Sequence, residues 1–178
     1  MQAVVVYESM FGNTHAIADA VAAGLAETFD VEVVPVTRVD SAQIGEADLV
    51  VVGGPTHVHG MSRASTRASA AKQAEADGSG LTLEPDAVNE GVREWLTSLN
   101  SGRGHGMAAA FDTRLRGPVA FTGHASKSIG RALRRTGYEL IAEPESFLVT
   151  GKNKLSAGEL ERARVWGAAL TSTLSLAS

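Results

Sequence analysis

Five short apolar runs, separated by helical patterns, constrain the fold of this 178-residue chain more than any other feature. They lie at residues 3–7, 31–36, 49–52, 107–111 and 146–149. Runs of this length predict strands, and their continuous apolar character predicts that both faces of the sheet are covered. Because strands and helices alternate, we predict an α/β fold with a doubly wound, five-stranded parallel sheet in the order 2-1-3-4-5 and helices on both faces.

The segments between the runs carry the helices. Patterns at residues 88–99 and 126–135 predict two of them, and Gly137 is placed to end the second in a left-handed cap. The last helix has Ser156 and Glu159 in the register of a capping box. On the first and last helices we expect these residues to face inward: Ile17, Val21, Leu25, Phe29, Leu160, Ala163, Gly167, Leu170 and Leu174.

Length predicts a single domain spanning residues 1–178, with residues 61–85 as an inserted helix and loop after strand three. Strand three ends at the edge where such sheets bind ligands, so the insertion should lie beside that site. The mild net charge of -4 argues against nucleic-acid binding. The chain has no cysteine and no run of about 20 apolar residues, so we expect a cytoplasmic protein without disulfides or membrane insertion.

The loop after strand one carries the strongest functional signal. It consists of Ser9, Met10, Phe11, Gly12, Asn13 and Thr14, and it leads directly into the first helix. Unpaired N–H groups and the helix dipole make such a helix start suitable for a phosphate. The alternative interpretation is that Asn13 or Thr14 only caps the helix while Gly12 eases the turn. The spaced glycines of a Walker loop or a dinucleotide fingerprint are missing.

Residues 7–14 resemble the phosphate loop of the flavodoxin family, whose members bind flavin mononucleotide (FMN), and nearly the whole chain follows that family's order of elements. The resemblance implies non-covalent FMN, with its phosphate held by the loop from Ser9 to Thr14. It implies no catalytic side chain, because the chemistry belongs to the cofactor. By position, two further loops would enclose the flavin ring: Pro55, Thr56, His57, Val58, His59 and Gly60 after strand three, and Phe111, Asp112, Thr113 and Arg114 after strand four.

Electron-carrying members of that family usually clamp the flavin between a Trp and a Tyr, and this chain departs from that pattern. Its Trp and Tyr residues all lie in a predicted strand or helix, or follow a helix: Tyr7, Trp95, Tyr138 and Trp166. Ring contacts would come instead from Met10, Phe11, Pro55, His57, His59 or Phe111. Aromatic pairs are worth roughly 0.5–1.5 kcal/mol each beyond area burial, so we expect FMN to be held less tightly.

Arginines near the predicted site are a second departure from the carrier flavodoxins, which surround their flavin with acids. Arg114 and Arg116 follow strand four, and Arg63 and Arg67 begin the insertion. A cation near the flavin would favour its reduced anionic form and raise the reduction potential, as in an NAD(P)H- or quinone-linked flavoprotein. Alternatively, Arg63 and Arg67, one helical turn apart, form a solvated face.

Two functions therefore stand side by side. The first is an FMN-binding redox protein, either an electron carrier for a redox partner protein or a small oxidoreductase using NAD(P)H or a quinone. The second is a binding or regulatory module that keeps the fold but binds flavin weakly or not at all. A metal-dependent hydrolase using His57, His59 and His124 lacks a further ligand at recognisable spacing, so we expect no metal site. We expect His124 at the start of a helix.

Overall fold

The computed structural model describes residues 1–99, 106–118 and 122–175, and five of its strands coincide with the apolar runs. The strands are β1 Gln2–Tyr7, β2 Asp30–Pro35, β3 Leu49–His57, β4 Gly60–Met61, β5 Met107–Leu115, β6 Glu139–Leu140 and β7 Glu145–Val149. The two-residue strands β4 and β6 are additions to the predicted set. Both β3 and β5 extend several residues beyond the apolar runs that predict them.

The sheet has the order β2-β1-β3-β5, and the free edge of β5 pairs with both β6 and β7. All of these pairs are parallel, and their order confirms the prediction. Two segments, β6 and β7, share the fifth position of the sheet. Strand β6 pairs with the first two residues of β5, and β7 pairs with its last five. Pro144, which has no N–H to donate, directly precedes β7 and separates it from β6. The antiparallel strand β4 pairs with the end of β3.

Helices cover both faces of the sheet, as predicted. They are α1 Asn13–Leu25, α2 Ser41–Glu46, α3 Ala64–Glu75, α4 Val92–Ser98, α5 Ala125–Thr136 and α6 Glu159–Ser175, with a 3₁₀ turn at Val36–Arg38. One core contains Ile17 of α1 and Leu170 of α6, and the other contains Trp95 of α4 and Ile129 of α5. Successive residues of β1 belong alternately to the two cores, which explains its continuous apolar run. Within the described ranges, no helix has the length and apolar character needed to cross a membrane.

Glycines allow α1 and α6 to cross in close contact. A Cβ atom added to Gly167 would lie 2.3 Å from the backbone oxygen of Val21, and one added to Gly24 would lie 2.1 Å from that of Arg164. Neither atom fits without moving the helices apart, because protein interiors are close-packed. This contact fixes α1, and with it the loop that precedes α1.

The helix predicted at residues 88–99 begins later, at Val92, and Val88 is exposed. Gly91 is the N-cap residue and has an extended conformation, and its N–H donates to the carboxylate of Glu94 at 3.1 Å. This hydrogen bond caps the helix at Gly91, so α4 starts at Val92 and not at the predicted residue 88. The predicted end of α5 is confirmed, since Gly137 has φ of 108° at its C-cap.

The capping box predicted for the last helix is wrong. Helix α6 begins at Glu159, and the carboxylate of Glu159 accepts the N–H of Leu148 at 2.7 Å instead of capping the helix. Leu160 is 49% exposed, so the prediction that it faces inward is also wrong. Ala163 and Leu170 are buried as predicted, and the side chain of Leu174 lies outside the described residues. The inward residues predicted for α1 are all buried.

Candidate functional site

The loop after β1 makes a tight turn into α1 that depends on glycine. Gly12 is the N-cap residue of α1 and has φ of 85°, a conformation that other residues rarely adopt. Its N–H donates a hydrogen bond to Oγ of Ser9 at 3.1 Å. Ser9 therefore holds the turn closed, and the chain enters α1 without a side-chain cap.

The start of α1 presents unpaired backbone N–H groups. The N–H of Ala16 donates to the carbonyl of Gly12 at 3.0 Å and closes the first turn of the helix. The preceding N–H groups of Asn13, Thr14 and His15 have no acceptor in the described part of the chain. Three donors at the positive end of a helix dipole form a site suited to an anion.

Asn13 and Thr14 use their side chains to attach this loop to distant elements. The hydroxyls of Thr14 and Thr113 share a hydrogen bond of 2.7 Å, and both residues are buried. Nδ2 of Asn13 donates to the carbonyl oxygen and to Oδ1 of Asn153, both at 3.1 Å. Neither side chain caps α1, so the interpretation that one of them serves only as a helix cap is wrong.

A cavity of about 510 Å³ opens beside this loop, at the carboxyl ends of the strands. Small-molecule sites commonly have volumes of roughly 300–1,000 Å³. We call it the main cavity. Its lining residues come from the ends of β1, β3, β5 and β7 and from the insertion: Ser9, Met10, Phe11, Asn13, Thr14, Pro55, Thr56, His57, Gln73, Ser79, Leu81, Thr113, Arg114, Leu115, Val149, Thr150, Gly151, Lys152 and Asn153.

Leu115 and two further parts of this lining are absent from the sequence-based set of candidates. Residues 149–153 follow β7, and their signal was the predicted fifth strand, since all parallel strands of such a sheet end at the ligand-binding edge. Gln73, Ser79 and Leu81 come from the insertion, for which the sequence indicated a place beside the site but no particular residues.

Val58, His59 and Gly60 are not among the residues that line the main cavity. Val58 and His59 form the turn between β3 and β4, and Gly60, the first residue of β4, pairs with His57. Val58 and His59 have φ values of 45° and 73°, and Val58 is 82% exposed. Because the chain reverses at this turn, only the last three residues of β3 reach the cavity.

Phe111 and Asp112 are core residues, so the ring contact expected from Phe111 is wrong. The Phe111 side chain is fully buried and packs edge-to-face against Phe147 and Trp166, with ring centroids 6.1 and 6.3 Å away. Asp112 is also fully buried, and its Oδ2 accepts a backbone N–H from the first turn of α5 at 2.7 Å. The strand continues to Leu115, and residues beyond Asp112 line the cavity instead.

Among the lining residues that the structure describes, none is Trp or Tyr. Trp95 and Tyr138 are buried in the core that contains α4 and α5, and Tyr7 lies at the end of β1. The aromatic rings on the wall of the main cavity belong to Phe11 and His57. A flat ligand would therefore contact one phenyl ring and one imidazole.

The charged side chains of the main cavity are cations. Arg114 and Lys152 line it, and within the described ranges no Asp or Glu does. Nη1 of Arg114 donates to two backbone carbonyls and to the hydroxyl of Thr122, at 3.3, 3.1 and 3.0 Å. These bonds hold the guanidinium in place, so the cavity keeps a fixed positive charge beside the loop after β1.

Arg67 is buried, so the interpretation of Arg67 as part of a solvated face is wrong. Arg67 is 3% exposed, and its Nη1 donates to Oγ of Ser62 at 2.9 Å and to the carboxylate of Glu94 at 3.2 Å. The Ser62 hydroxyl donates to Glu8, whose second carboxylate oxygen accepts the N–H of Val92 at 2.9 Å. We call Glu8, Ser62, Arg67 and Glu94 the buried ion network. It joins the end of β1 to the insertion and to α4.

Burial and the buried ion network set the protonation of two nearby groups. Burial raises the pKa of Glu8, although its hydrogen bonds and the charge of Arg67 act in the opposite direction. Burial and then the charge of Arg67 lower the pKa of His57, so this imidazole is neutral near pH 7. Arg63, in contrast, is exposed at the N-cap of α3, as the solvated-face interpretation predicts.

His57, His59 and His124 are not grouped as ligands of a metal ion. His124 is the N-cap residue of α5, as predicted, and its Nδ1 lies 3.1 Å from Oγ of Ser146. Across the described residues, no three His, Asp or Glu side chains are grouped so that they could hold a metal ion. Among the described histidines, His57 lines the main cavity.

Comparison with known proteins gives one family match and several similar folds. The profile of the flavodoxin family matches residues 5–118, well over half of the chain. A flavodoxin from the domain Archaea is 20% identical with a TM-score of 0.63, covering 98% of this chain and 99% of its own. A flavodoxin of Streptococcus pneumoniae TIGR4 is 23% identical with a TM-score of 0.63, covering 97% and 99%. Flavodoxin 2 of Bacillus cereus is 19% identical with a TM-score of 0.61, covering 97% and 99%. No curated protein sequence matches this chain.

Proposed function

This chain belongs to the flavodoxin family, and on that premise we propose that it holds FMN in the main cavity and acts as an NAD(P)H- or quinone-linked oxidoreductase. Membership of the family implies FMN as the cofactor and electron transfer as the chemistry. The single observation that carries the proposal is the set of unpaired N–H groups of Asn13, Thr14 and His15 at the start of α1, where Asn13 and Thr14 line that cavity. Bound FMN supplies the redox chemistry, so no side chain has to act as an acid or a base.

The start of α1 fits the phosphate of FMN. Its three N–H groups have no acceptor within the described ranges, so they are free to donate to a ligand. Hydrogen bonds to a charged group such as a phosphate are stronger than those to a neutral one. Lys152 lines the same cavity and adds a positive charge. The bonds from Asn13 to Asn153 and between Thr14 and Thr113 hold the loop in this form. We propose that these residues bind the phosphate and keep its site preorganised.

The rings that would contact the flavin are smaller than those of a Trp–Tyr pair. Phe11 and His57 supply rings, and Pro55 and Leu115 supply apolar surface. Because aromatic pairs contribute roughly 0.5–1.5 kcal/mol each, losing two of them would weaken binding by roughly 5-fold to 150-fold. FMN should therefore dissociate more readily than from a flavodoxin with both aromatic residues.

The charges of the main cavity favour a reduced flavin that carries a negative charge. Arg114 and Lys152 line the cavity, and no carboxylate among the described residues does. Each kcal/mol by which a cation stabilises the reduced form raises a one-electron potential by roughly 40 mV. This set of charges suits a protein that takes electrons from NAD(P)H or exchanges them with a quinone, rather than a very low-potential carrier.

Two measurements test this proposal. The protein, incubated with FMN and then separated from unbound FMN by gel filtration, should show the two visible absorbance bands of a flavin. Anaerobic addition of NADPH, and then of a quinone, should bleach and restore those bands. Bound flavin that a redox titration places at the potential of a carrier flavodoxin, and that NADPH leaves oxidised, would contradict the oxidoreductase role and favour electron transfer to a redox partner protein.

The absence of Trp and Tyr from the described cavity wall favours a second candidate function, a binding or regulatory module that has lost its flavin. A colourless protein whose spectrum and thermal stability do not change with added FMN would support this candidate. The proposed oxidoreductase predicts the opposite, because a ligand that binds the folded state raises its apparent stability.

We also propose that residues 1–178 form one domain and that the insertion covers the FMN site. Gln73, Ser79 and Leu81 line the main cavity, and the N–H of Glu84 donates to the carbonyl of Met10 at 3.0 Å. These contacts attach the insertion to the loop after β1. Limited proteolysis tests the proposal, because bound FMN should protect the insertion from cleavage.

A further inference from the structure

A second cavity, of about 240 Å³, lies where β1 and β2 end. Its wall combines the ends of these strands, the 3₁₀ turn after β2 and the segment 84–90 of the chain. Ser9 lines both this cavity and the main one. The proposed function makes no use of this space, and its volume is below the range of roughly 300–1,000 Å³ that drug-sized ligands occupy. We call it the acidic cavity.

Carboxylates dominate the charges of the acidic cavity. Glu8, Glu84, Asp86 and Glu90 line it, whereas Arg38 and His15 are the basic residues there (all within the described ranges). Glu84 bonds to His15 at 2.9 Å, Asp86 pairs with Arg38 at 3.1 Å, and Glu8 belongs to the buried ion network. Glu90 is exposed, and among the described residues it has neither an ion pair nor a hydrogen bond from its side chain. One carboxylate is therefore free to pair with a ligand.

The Tyr7 side chain also lines the acidic cavity, and its hydroxyl has no partner among the described residues. Tyr7 is 6% exposed, and its hydroxyl makes no hydrogen bond to any residue that the structure describes. The ring is fixed by stacking on His15, with centroids 4.4 Å apart and planes at 15°. Burial, and then the negative charges of Glu84 and Asp19, raise the pKa of Tyr7 to about 12, so the hydroxyl keeps its proton. Because the Tyr7 side chain lines the cavity and its hydroxyl has no protein partner among the described residues, this hydroxyl is available to bond to a ligand atom there.

We propose that the acidic cavity binds a small organic cation, a primary ammonium on a short alkyl chain, between the Tyr7 hydroxyl and the Glu90 carboxylate. An ammonium group has three donors and no acceptor, which matches a hydroxyl oxygen and a carboxylate. Pro35, Val36 and Ala87 supply apolar wall for the alkyl chain. No three of the described acidic or histidine side chains are grouped closely enough for one metal ion.

The test is calorimetry of the full chain with n-butylamine at pH 7, where the amine is protonated, beside 1-butanol as a neutral probe of nearly the same shape. The ammonium should bind and the alcohol should not. Tyr7→Phe keeps the stacked ring and removes the hydroxyl, so it should weaken butylamine binding roughly threefold to tenfold. Glu90→Gln should weaken it roughly twofold to fivefold. Tyr138→Phe, which alters a buried tyrosine in the core around α4 and α5, is the matched control and should have no effect.

The proposal is independent of FMN binding, and a second titration at saturating FMN keeps the two apart. Butylamine should bind equally well with FMN present, because the two ligands occupy different cavities. Equal binding of 1-butanol would overturn the proposal, as would unchanged butylamine binding in both Tyr7→Phe and Glu90→Gln. Displacement of butylamine by FMN would also overturn it, because the amine would then occupy the main cavity.

Discussion

Replacing Arg67 with Met should lower the free energy of unfolding by about 3 kcal/mol, because it removes the cation from the buried ion network. Arg67 is 3% exposed, and its guanidinium bonds to Ser62 and Glu94. Methionine fills much of the same volume, so the change leaves no large cavity. It does leave Glu8 buried with only the Ser62 hydroxyl and the Val92 N–H as partners.

The magnitude follows from how much of the network stays buried. Removing one partner of a buried ion pair costs roughly 3–5 kcal/mol, and the lower end applies here because the Glu94 side chain is 37% exposed and can be hydrated. With a urea dependence of about 2 kcal/mol per molar, the midpoint of unfolding should fall by about 1.5 M. Such a loss is a large part of the roughly 5–15 kcal/mol that stabilises a domain.

The deficit should also depend on pH. The pKa of Glu8 is raised in the folded protein, so the folded state holds more protons than the unfolded state and stability falls as pH rises from the ordinary carboxyl pKa through the raised one. The charge of Arg67 lowers the pKa of Glu8, so removing Arg67 raises this pKa further and extends the fall in stability to higher pH. Arg67 also helps to lower the pKa of Glu94. The stability that this lowered pKa gives the protein above the ordinary carboxyl pKa is reduced when Arg67 is replaced. Both effects make the deficit of Arg67→Met larger at pH 7 than at pH 5.

Urea unfolding followed by circular dichroism at both pH values measures this directly. The matched control is Arg63→Met, which removes an exposed arginine one helical turn away and should change stability by less than about 0.5 kcal/mol. The reasoning is refuted if Arg67→Met costs no more than Arg63→Met, or if its deficit is larger at pH 5 than at pH 7.

Three further predictions follow from backbone geometry and charge. Val58→Asn should stabilise the protein by about 1 kcal/mol in urea unfolding, because Val58 is exposed with φ of 45° and Asn tolerates that conformation; a loss of stability would contradict this. Gly167→Ala should destabilise it by about 1–3 kcal/mol because its Cβ would meet a carbonyl oxygen of α1 at 2.3 Å, whereas Gly45→Ala, with open space around it, should not; equal midpoints would show that the helices can move apart. Arg114→Gln should lower the reduction potential of bound FMN by tens of millivolts in potentiometry, and the exposed Arg116→Gln should change it less; no difference between the two would mean that Arg114 does not act on the flavin.

The strands were predictable because each apolar run is a local signal, and their order followed from the alternation of strands and helices along the chain. The strand ends were not predictable. β3 continues beyond its apolar run through Gly53, Gly54 and Pro55, which have low strand propensity and are held by pairing with β5. The same pairing extends β5 beyond Phe111. A Cβ at Gly53 would lie 2.0 Å from the Phe111 ring, so the missing side chain at Gly53 makes the space that buries this ring. Such a cross-strand fit is invisible in either segment alone.

Some features of the candidate site were also predictable from the sequence, and others were not. The loop after β1 was predictable because Ser9, Gly12 and the free N–H groups lie within a few residues of one another. The partner of Asn13 is 140 residues away, at Asn153, so only the fold could reveal it. Arg67 is a similar case, since charge in an Ala-rich helix normally indicates exposure and its burial depends on carboxylates from β1 and α4.

The measurement that tests the central claim most directly compares FMN with riboflavin, which has the same ring and ribityl chain but no phosphate. Calorimetry on the folded protein should show FMN binding at least 100-fold more tightly, because each hydrogen bond from an N–H group of α1 to the charged phosphate contributes roughly 1.5–3 kcal/mol. Raising the salt concentration should narrow the difference. Equal affinity for the two flavins, or no heat of binding with either, would contradict the assignment of a phosphate site to the start of α1.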